Sequence, residues 1–137
     1  MGSPLLGIDH VALRCFDMKA TERFYGEVLG LPLAERADGP SEGAEGTTWR
    51  LAGFRLPSGA LLDFFEIEGA ARPASLDDVP HVALAVATRA DLESWRARLT
   101  ASGVAIPEER DQGDGRHSLY FFDPNGHYLE LTCRARR

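Results

Sequence analysis

The feature that most constrains the fold of this chain is an internal repeat. Residues 10–13 (HVAL) recur as residues 81–84 (HVAL), and residues 57–64 (PSGALLDF) are matched in type by residues 124–131 (PNGHYLEL). The two blocks come in the same order in both halves of the chain. A pattern repeated in this way indicates one supersecondary unit that is present twice.

The first half starts with residues 8–15, which alternate in polarity as a half-buried strand does. Asp17 then precedes a helical pattern whose apolar residues share one stripe, and Gly30 follows as a helix stop. The apolar residues of this stripe are Phe24, Tyr25, Val28 and Leu29. Candidate strands that end in a hairpin come next.

The second half repeats this order. Residues 82–86 form a strand pattern, Thr88 with Asp91 resembles a capping box, and Leu92, Trp95 and Leu99 form the apolar stripe of a helix. The predicted fold class is therefore α+β, with two tandem βαβββ units. We expect a first copy over about residues 5–68, a linker over 69–80 and a second copy over about 81–133, all within one domain of 137 residues.

Strand parity predicts which polar side chains converge. Successive side chains of a strand point to opposite faces, and His10, Asp63, His81 and Glu130 each oppose the main apolar residues of their own strand. Each of these residues, taken alone, is more often structural than a ligand. Their occurrence at equivalent places in both copies is hard to explain by core packing.

Two imidazoles and two carboxylates suit a borderline divalent ion such as zinc, nickel, iron(II), cobalt or manganese. The sequence therefore predicts one metal site formed by His10, Asp63, His81 and Glu130. Glu66 competes with Asp63 for the acid of the first copy. We prefer Asp63, because the repeat aligns it with Glu130 and because Glu66 has the other parity.

The turn at residues 123–126 (DPNG) leaves two registers open for the second hairpin. A three-residue loop places Tyr120 opposite Glu130, where its hydroxyl can act as a hydrogen-bond donor or general acid. A four-residue loop places Leu119 there and sends Tyr120 to the helix side. Residues 36–47, rich in glycine and acidic residues, are predicted to form a mobile loop.

The composition restricts the partners. The net charge of -6 argues against nucleic acid or an anionic membrane, since both would require a basic face. We see no apolar run of membrane-spanning length and no signal-peptide pattern, so we expect a cytoplasmic protein. The two cysteines, Cys15 and Cys133, are predicted to be reduced thiols on strands.

Together these features resemble the vicinal oxygen chelate superfamily, which includes glyoxalase I, extradiol dioxygenases, fosfomycin-resistance enzymes and bleomycin-resistance binding proteins. The resemblance extends from Ile8 to Thr132 and is carried by residues 9–13 (DHVAL), 24–31 (FYGEVLGL) and 120–131 (YFFDPNGHYLEL). It implies an eight-stranded, mostly antiparallel, U-shaped sheet with the metal inside and helices outside. It also implies a homodimer that acts on a small molecule.

Within the superfamily, the four-ligand set looks most like glyoxalase I, a lyase whose chemistry is an isomerisation at a metal-bound substrate. By that resemblance Asp63 or Glu130 would be the catalytic base, and Arg14 would hold the carboxylate of a thiol cosubstrate. Tyr120 is a further candidate catalytic residue through the hairpin register that places it opposite Glu130. Substrate specificity would lie in Arg14, Arg55, Trp49, Tyr120 and the loop predicted over residues 36–47. The sequence departs from glyoxalase I in having Asp at position 63 and Ile67 where an asparagine is expected.

Three alternatives stay open. An extradiol dioxygenase would use His10, His81 and Glu130 around iron(II). A fosfomycin-type thiol transferase would use the same three ligands, and residues 118–121 (SLYF) resemble its segment, although it usually lacks an acid at position 63. A metal-free binding protein of the bleomycin-resistance kind would carry residues that cannot chelate at these positions.

Overall fold

A computed structural model describes residues 2–40, 48–70, 80–113 and 115–134. The chain divides into two compact units, Met1–Arg72 and Pro73–Arg137. The elements of the first unit are β1 (His10–Cys15), α1 (Met18–Glu22) with its π-helical continuation (Arg23–Val28), β2 (Leu33–Pro40), β3 (Thr48–Arg55) and β4 (Leu61–Ile67). Its sheet has the order β1-β4-β3-β2. Among the described residues, β1 and β4 run parallel, and the other neighbouring strands run antiparallel.

The second unit has the same architecture. Its elements are β5 (His81–Ala85), α2 (Arg89–Ala101), β6 (Glu108–Asp111), β7 (Arg116–Phe122) and β8 (Tyr128–Arg134). The sheet order is β5-β8-β7-β6, with β5 parallel to β8 and the other neighbours antiparallel. The predicted α+β fold with two βαβββ units is therefore confirmed.

Both helices begin at the predicted caps. The Asp17 carboxylate accepts a hydrogen bond of 3.1 Å from the Ala20 N–H at the start of α1. At α2 the Thr88 hydroxyl accepts from the Asp91 N–H, and the Asp91 carboxylate accepts from the Thr88 N–H, which is the predicted capping box. These bonds satisfy N–H groups that have no partner inside a helix.

The cores follow the predicted strand parity. In the first unit Leu62, Phe64 and Phe54 are buried on the helix side, and the Tyr25 ring lies 4.3 Å from that of Phe64. In the second unit α2 packs against β7 and β8. The buried residues of the helix and of these two strands form the core. The buried residues of this second core include Leu92, Leu99, Leu119, Leu129 and Leu131.

The loop predicted over residues 36–47 is wrong for residues 36–40, which belong to β2 and pair with β3. Gly39 allows this extension, because it lets β2 pass close to the Trp49 ring. A Cβ at position 39 would lie 3.0 Å from that ring, which is too close for an ordinary contact. The glycine is thus used for close packing against the indole and not for a turn. Residues 41–47 lie outside the described residues, as do residues 71–79 of the predicted linker.

The hairpin between β7 and β8 adopts the three-residue loop. The Asp123 N–H donates to the His127 carbonyl at 2.9 Å, and Tyr120 pairs with Glu130 across the strands. The Asp123 carboxylate also accepts hydrogen bonds from the N–H groups of Asn125 and His127, both at 2.8 Å. In the part of the chain that the structure describes, no helix is long and apolar enough to cross a membrane.

We predict that Phe64→Ala lowers the free energy of unfolding by about 3–5 kcal/mol, since Phe64 is fully buried and its removal leaves a cavity beside Tyr25. Denaturant unfolding followed by circular dichroism measures this loss. Phe122→Ala is the control, because Phe122 is 44% exposed and should lose much less. Equal losses in the two variants would show that the first core is not packed as described.

Candidate metal centre

A row of residues across the first sheet sets the positions of the candidate ligands of the first unit. Ala12 on β1, Asp63 on β4, Gly53 on β3 and Glu35 on β2 are successive neighbours in the strand pairing, so they share one face. His10 precedes Ala12 by two residues and lies on the same face. This face is opposite to the one that carries Leu62 and Phe64, as the parity argument predicted.

His10 is held by a neighbouring carboxylate. Its Nδ1 lies 2.8 Å from Asp9 Oδ2, and its side chain is about half exposed. The hydrogen bond that the His10 ring donates to the Asp9 carboxylate raises the pKa of His10, desolvation lowers it, and the charge of Asp63 raises it again. A carboxylate on one ring nitrogen is the usual arrangement for metal-binding histidines, because it orients the other nitrogen, here Nε2, towards the cation.

Asp63 is a buried acid that lacks a partner for one oxygen. It is 6% exposed, and its Oδ1 has no hydrogen-bond partner. Burial raises the pKa of Asp63, the negative charge of Glu35 raises it further, and His10 lowers it. A buried carboxylate oxygen without a donor is costly, so this atom fits the role of a cation ligand.

The competing acid, Glu66, has a structural role. Its carboxylate accepts a hydrogen bond of 2.9 Å from the Met18 N–H at the start of α1, and it also lies 3.4 Å from the Arg50 guanidinium. These contacts lie on the helix side of the sheet. They support the preference for Asp63 that the repeat suggested.

The second sheet carries the equivalent row. Ala83, Glu130, Tyr120 and Glu108 are successive neighbours on β5, β8, β7 and β6. His81 precedes Ala83 by two residues, and its Nε2 lies 3.1 Å from Glu130 Oε1. This distance is that of a hydrogen bond, and both atoms are of types that bind divalent cations.

Glu130 is fixed by a residue that our ligand prediction did not include. Ser118 is 1% exposed and donates a hydrogen bond of 2.6 Å from Oγ to Glu130 Oε2. The sequence could have indicated this role of Ser118, because the hairpin register that places Tyr120 opposite Glu130 also places Ser118 on the same face. Glu35 was missed too, and no pattern in the sequence indicates that it reaches Asp63.

Tyr120 lies beside Glu130 in the strand pairing. Its ring is buried, stacks on that of Tyr128 with centroids 5.4 Å apart, and lies under the Arg110 guanidinium. The Gln112 side-chain amide donates to the Tyr120 hydroxyl oxygen at 3.2 Å. Because the oxygen accepts this bond, the phenolic proton stays available for another acceptor.

The predicted specificity residues Arg14, Arg55 and Trp49 lie on the ligand face of the first sheet, as the strand pairing shows. Arg14 stacks over the Phe16 ring at 5.7 Å, and Arg55 donates to the Gly59 carbonyl at 2.9 Å. The Trp49 ring lies 5.8 Å from that of Phe65. All three are thus placed on the face that holds His10 and Asp63.

Each unit therefore supplies one imidazole and one carboxylate: His10 with Asp63 in the first, His81 with Glu130 in the second. Within the described ranges, no three His, Cys, Asp or Glu side chains are grouped closely enough to hold a metal ion. The four-ligand site stays a prediction. The donor types and the unpartnered Asp63 oxygen both fit a divalent cation.

Comparisons with known proteins agree with this description. The chain is 30% identical over 128 residues to the metallothiol transferase FosB of Bacillus licheniformis, which covers 93% of this chain and 75% of that protein. It is 31% identical over 129 residues to the glutathione transferase FosA of Serratia marcescens, covering 93% and 80%. A glyoxylase/bleomycin resistance protein/dioxygenase domain from Frankia sp. EAN1pec has a similar structure, with a TM-score of 0.77 and 24% identity over 96% of this chain and 99% of that one.

Residues 7–131 match the family described as the Glyoxalase/Bleomycin resistance protein/Dioxygenase superfamily. This range contains the four candidate ligands and the βαβββ repeat. The chain belongs to this superfamily.

Proposed function

We propose that the protein is a divalent-metal-dependent enzyme that transfers a thiol to a small oxygen-bearing substrate. The observation that carries the proposal is the similarity over 93% of the chain to two proteins named as thiol transferases. The His81–Glu130 pair and its support by Ser118 agree with it. We further propose that His10, His81 and Glu130 bind the ion and that Asp63 is a fourth donor.

The bound ion would stabilise the negative charge that develops on the substrate oxygen. In the reaction, the thiolate sulfur forms a bond to a substrate carbon while the bond from that carbon to oxygen breaks, and the oxygen takes up a proton. We propose that Tyr120 gives this proton. The hydrogen bond that its oxygen accepts from Gln112 supports this role, because it leaves the phenolic O–H as the donor. Arg14 and Arg55 can bind an anionic group of the substrate or of the thiol.

Asp9 and Ser118 have positioning roles in this proposal. Asp9 orients the His10 ring, and Ser118 fixes one oxygen of Glu130 while the other faces His81. Such supports hold ligands in place before the ion binds and so strengthen binding. A cytoplasmic location and a homodimer remain predictions that accompany the proposal.

A second candidate is the glyoxalase-like isomerisation that the sequence analysis favoured. The specific observation for it is the buried acid Asp63, because a carboxylate in both units offers two candidate bases. In that reaction the base removes a proton from one substrate carbon and returns it to the adjacent carbon. The two candidates differ in product, since only thiol transfer forms a new sulfur–carbon bond.

The reaction is tested with manganese-loaded or zinc-loaded protein, glutathione or cysteine, and fosfomycin. Fosfomycin is an epoxide, and a fosfomycin resistance protein from Listeria monocytogenes shares this fold. We expect mass spectrometry to detect the thiol adduct. We expect Tyr120→Phe to lower kcat by about 100-fold or more, since general acids contribute about 10²–10⁴-fold. Isomerisation of methylglyoxal hemithioacetal without thiol transfer would favour the second candidate instead.

Metal binding is tested separately by calorimetry and elemental analysis. We expect one divalent ion per chain and a loss of affinity of at least about 100-fold in His81→Ala, a larger effect than outer-shell changes cause. His117→Ala is the matched control, because His117 lies on the same sheet but on the opposite face from Ser118 and Tyr120. A protein that binds no metal would contradict the enzyme proposal and favour metal-free binding.

A further inference from the structure

Each sheet carries a row of four neighbouring residues on the face of its histidine and acid, and the two rows differ at their third residue. In the second unit Tyr120 stands between Glu130 and Glu108, whereas in the first unit Gly53 stands between Asp63 and Glu35. Both rows thus end in a glutamate on the last strand of the sheet. Only in the first unit does the residue between the two acids lack a side chain.

An irregularity in β2 places Glu35 in this row. The pairing of β2 with β3 passes from Leu33 opposite Phe54 directly to Glu35 opposite Gly53, so Ala34 is an extra residue. Without this β-bulge, Ala34 would face Gly53 and Glu35 would turn to the other face of the sheet. Bulges commonly re-aim a side chain next to a functional site.

Gly53 gives the Glu35 side chain room to approach Asp63. A Cβ at position 53 would lie 2.4 Å from Asp63 Oδ1, 2.8 Å from Glu35 Cγ and 3.1 Å from Glu35 Oε1. Both carboxylates therefore converge on the space above Gly53. Any larger residue would have to displace one of them.

The Asp63 side of this space has the chemistry of a cation ligand. Asp63 is 6% exposed, and its Oδ1, which borders this space, has no hydrogen-bond partner. Two carboxylates placed together in this way repel each other unless a positive charge or a proton lies between them. Glu35 is exposed on the last strand of its sheet, so its side chain can turn towards an ion at low cost.

We propose that Glu35 turns its side chain towards Asp63 and His10 and so becomes an additional carboxylate donor for the divalent ion in the first unit. As they stand, these three described side chains are not grouped closely enough to hold an ion. This inference rests on the proposed function, because it assumes a resident metal. It implies an oxygen-rich ligand set, which favours manganese(II) over zinc, since carboxylates suit the harder ion. The first unit would thus set the choice of metal.

Glu108 shows why the second unit does not supply the same donor. Its carboxylate contacts the Arg110 guanidinium and accepts a hydrogen bond of 3.0 Å from the Tyr128 hydroxyl. These bonds hold the pKa of Glu108 below its ordinary value and keep its charge engaged on β6 and β8. Glu108 is therefore a matched control for Glu35, at the equivalent place in the repeat.

The test compares Glu35→Gln with Glu108→Gln by calorimetric titration with manganese(II) and zinc(II). We expect Glu35→Gln to lower manganese affinity about 10-fold, and zinc affinity less, because zinc is satisfied by fewer and softer donors. Glu108→Gln should change neither affinity. Gly53→Ala, checked for folding by circular dichroism, should also lower manganese affinity, because its methyl group displaces one of the two carboxylates.

Unchanged manganese affinity in Glu35→Gln would overturn the inference. An equal loss for both metals would also overturn it, since that result indicates a general charge effect and not the loss of an oxygen donor. If the unmutated protein binds no metal, the proposed function fails together with the inference. If metal binding responds to Glu35→Gln as expected but no thiol adduct forms, only the proposed reaction fails.

Discussion

The parallel pairing of the first and last strands in each unit is the constraint on which the candidate site depends. It sets β1 beside β4 and β5 beside β8, so that Ala12 lies next to Asp63 and Ala83 next to Glu130. The histidine two residues earlier on each strand then shares a face with the acid. Small alanines at these positions leave room beside the ligands, and the apolar residues of opposite parity form the core with the helix.

Much of this arrangement follows from local rules, and it was therefore predictable from the sequence. The repeat indicated two equivalent units, parity separated His10 and Asp63 from Leu62 and Phe64, and Asp17 and Thr88 marked the helix starts. The turn at residues 123–126 allowed two registers, and the structure has the one that pairs Tyr120 with Glu130. These features depend on neighbours in the chain or on strand periodicity.

The features that could not be predicted depend on contacts between distant segments. The extension of β2 to Pro40 runs against the local preferences of Asp38 and Gly39, and it is explained by pairing with β3 and by packing against Trp49. The bulge at Ala34 has no sequence signal of its own. Without it, the position of Glu35 near Asp63 could not be inferred, and the special role of Gly53 could not be recognised.

The two copies have diverged in the residues that flank their acids. Glu130 is anchored by Ser118 and flanked by Tyr120, so the second unit offers a fixed acid and a hydroxyl. Asp63 is flanked by Gly53 and approached by Glu35, so the first unit offers carboxylate oxygens with room around them. In our account the second unit supplies a rigid ligand pair and a proton donor, while the first selects the ion.

The proposed function requires that one divalent ion bind both His10 and His81. Paramagnetic broadening by manganese(II) tests it directly, with the ring resonances of the four histidines assigned by single His→Gln replacements. We expect the His10 and His81 signals to broaden together and completely as the first equivalent is added. Broadening of only one of these signals, or broadening of the two at separate equivalents, would contradict it.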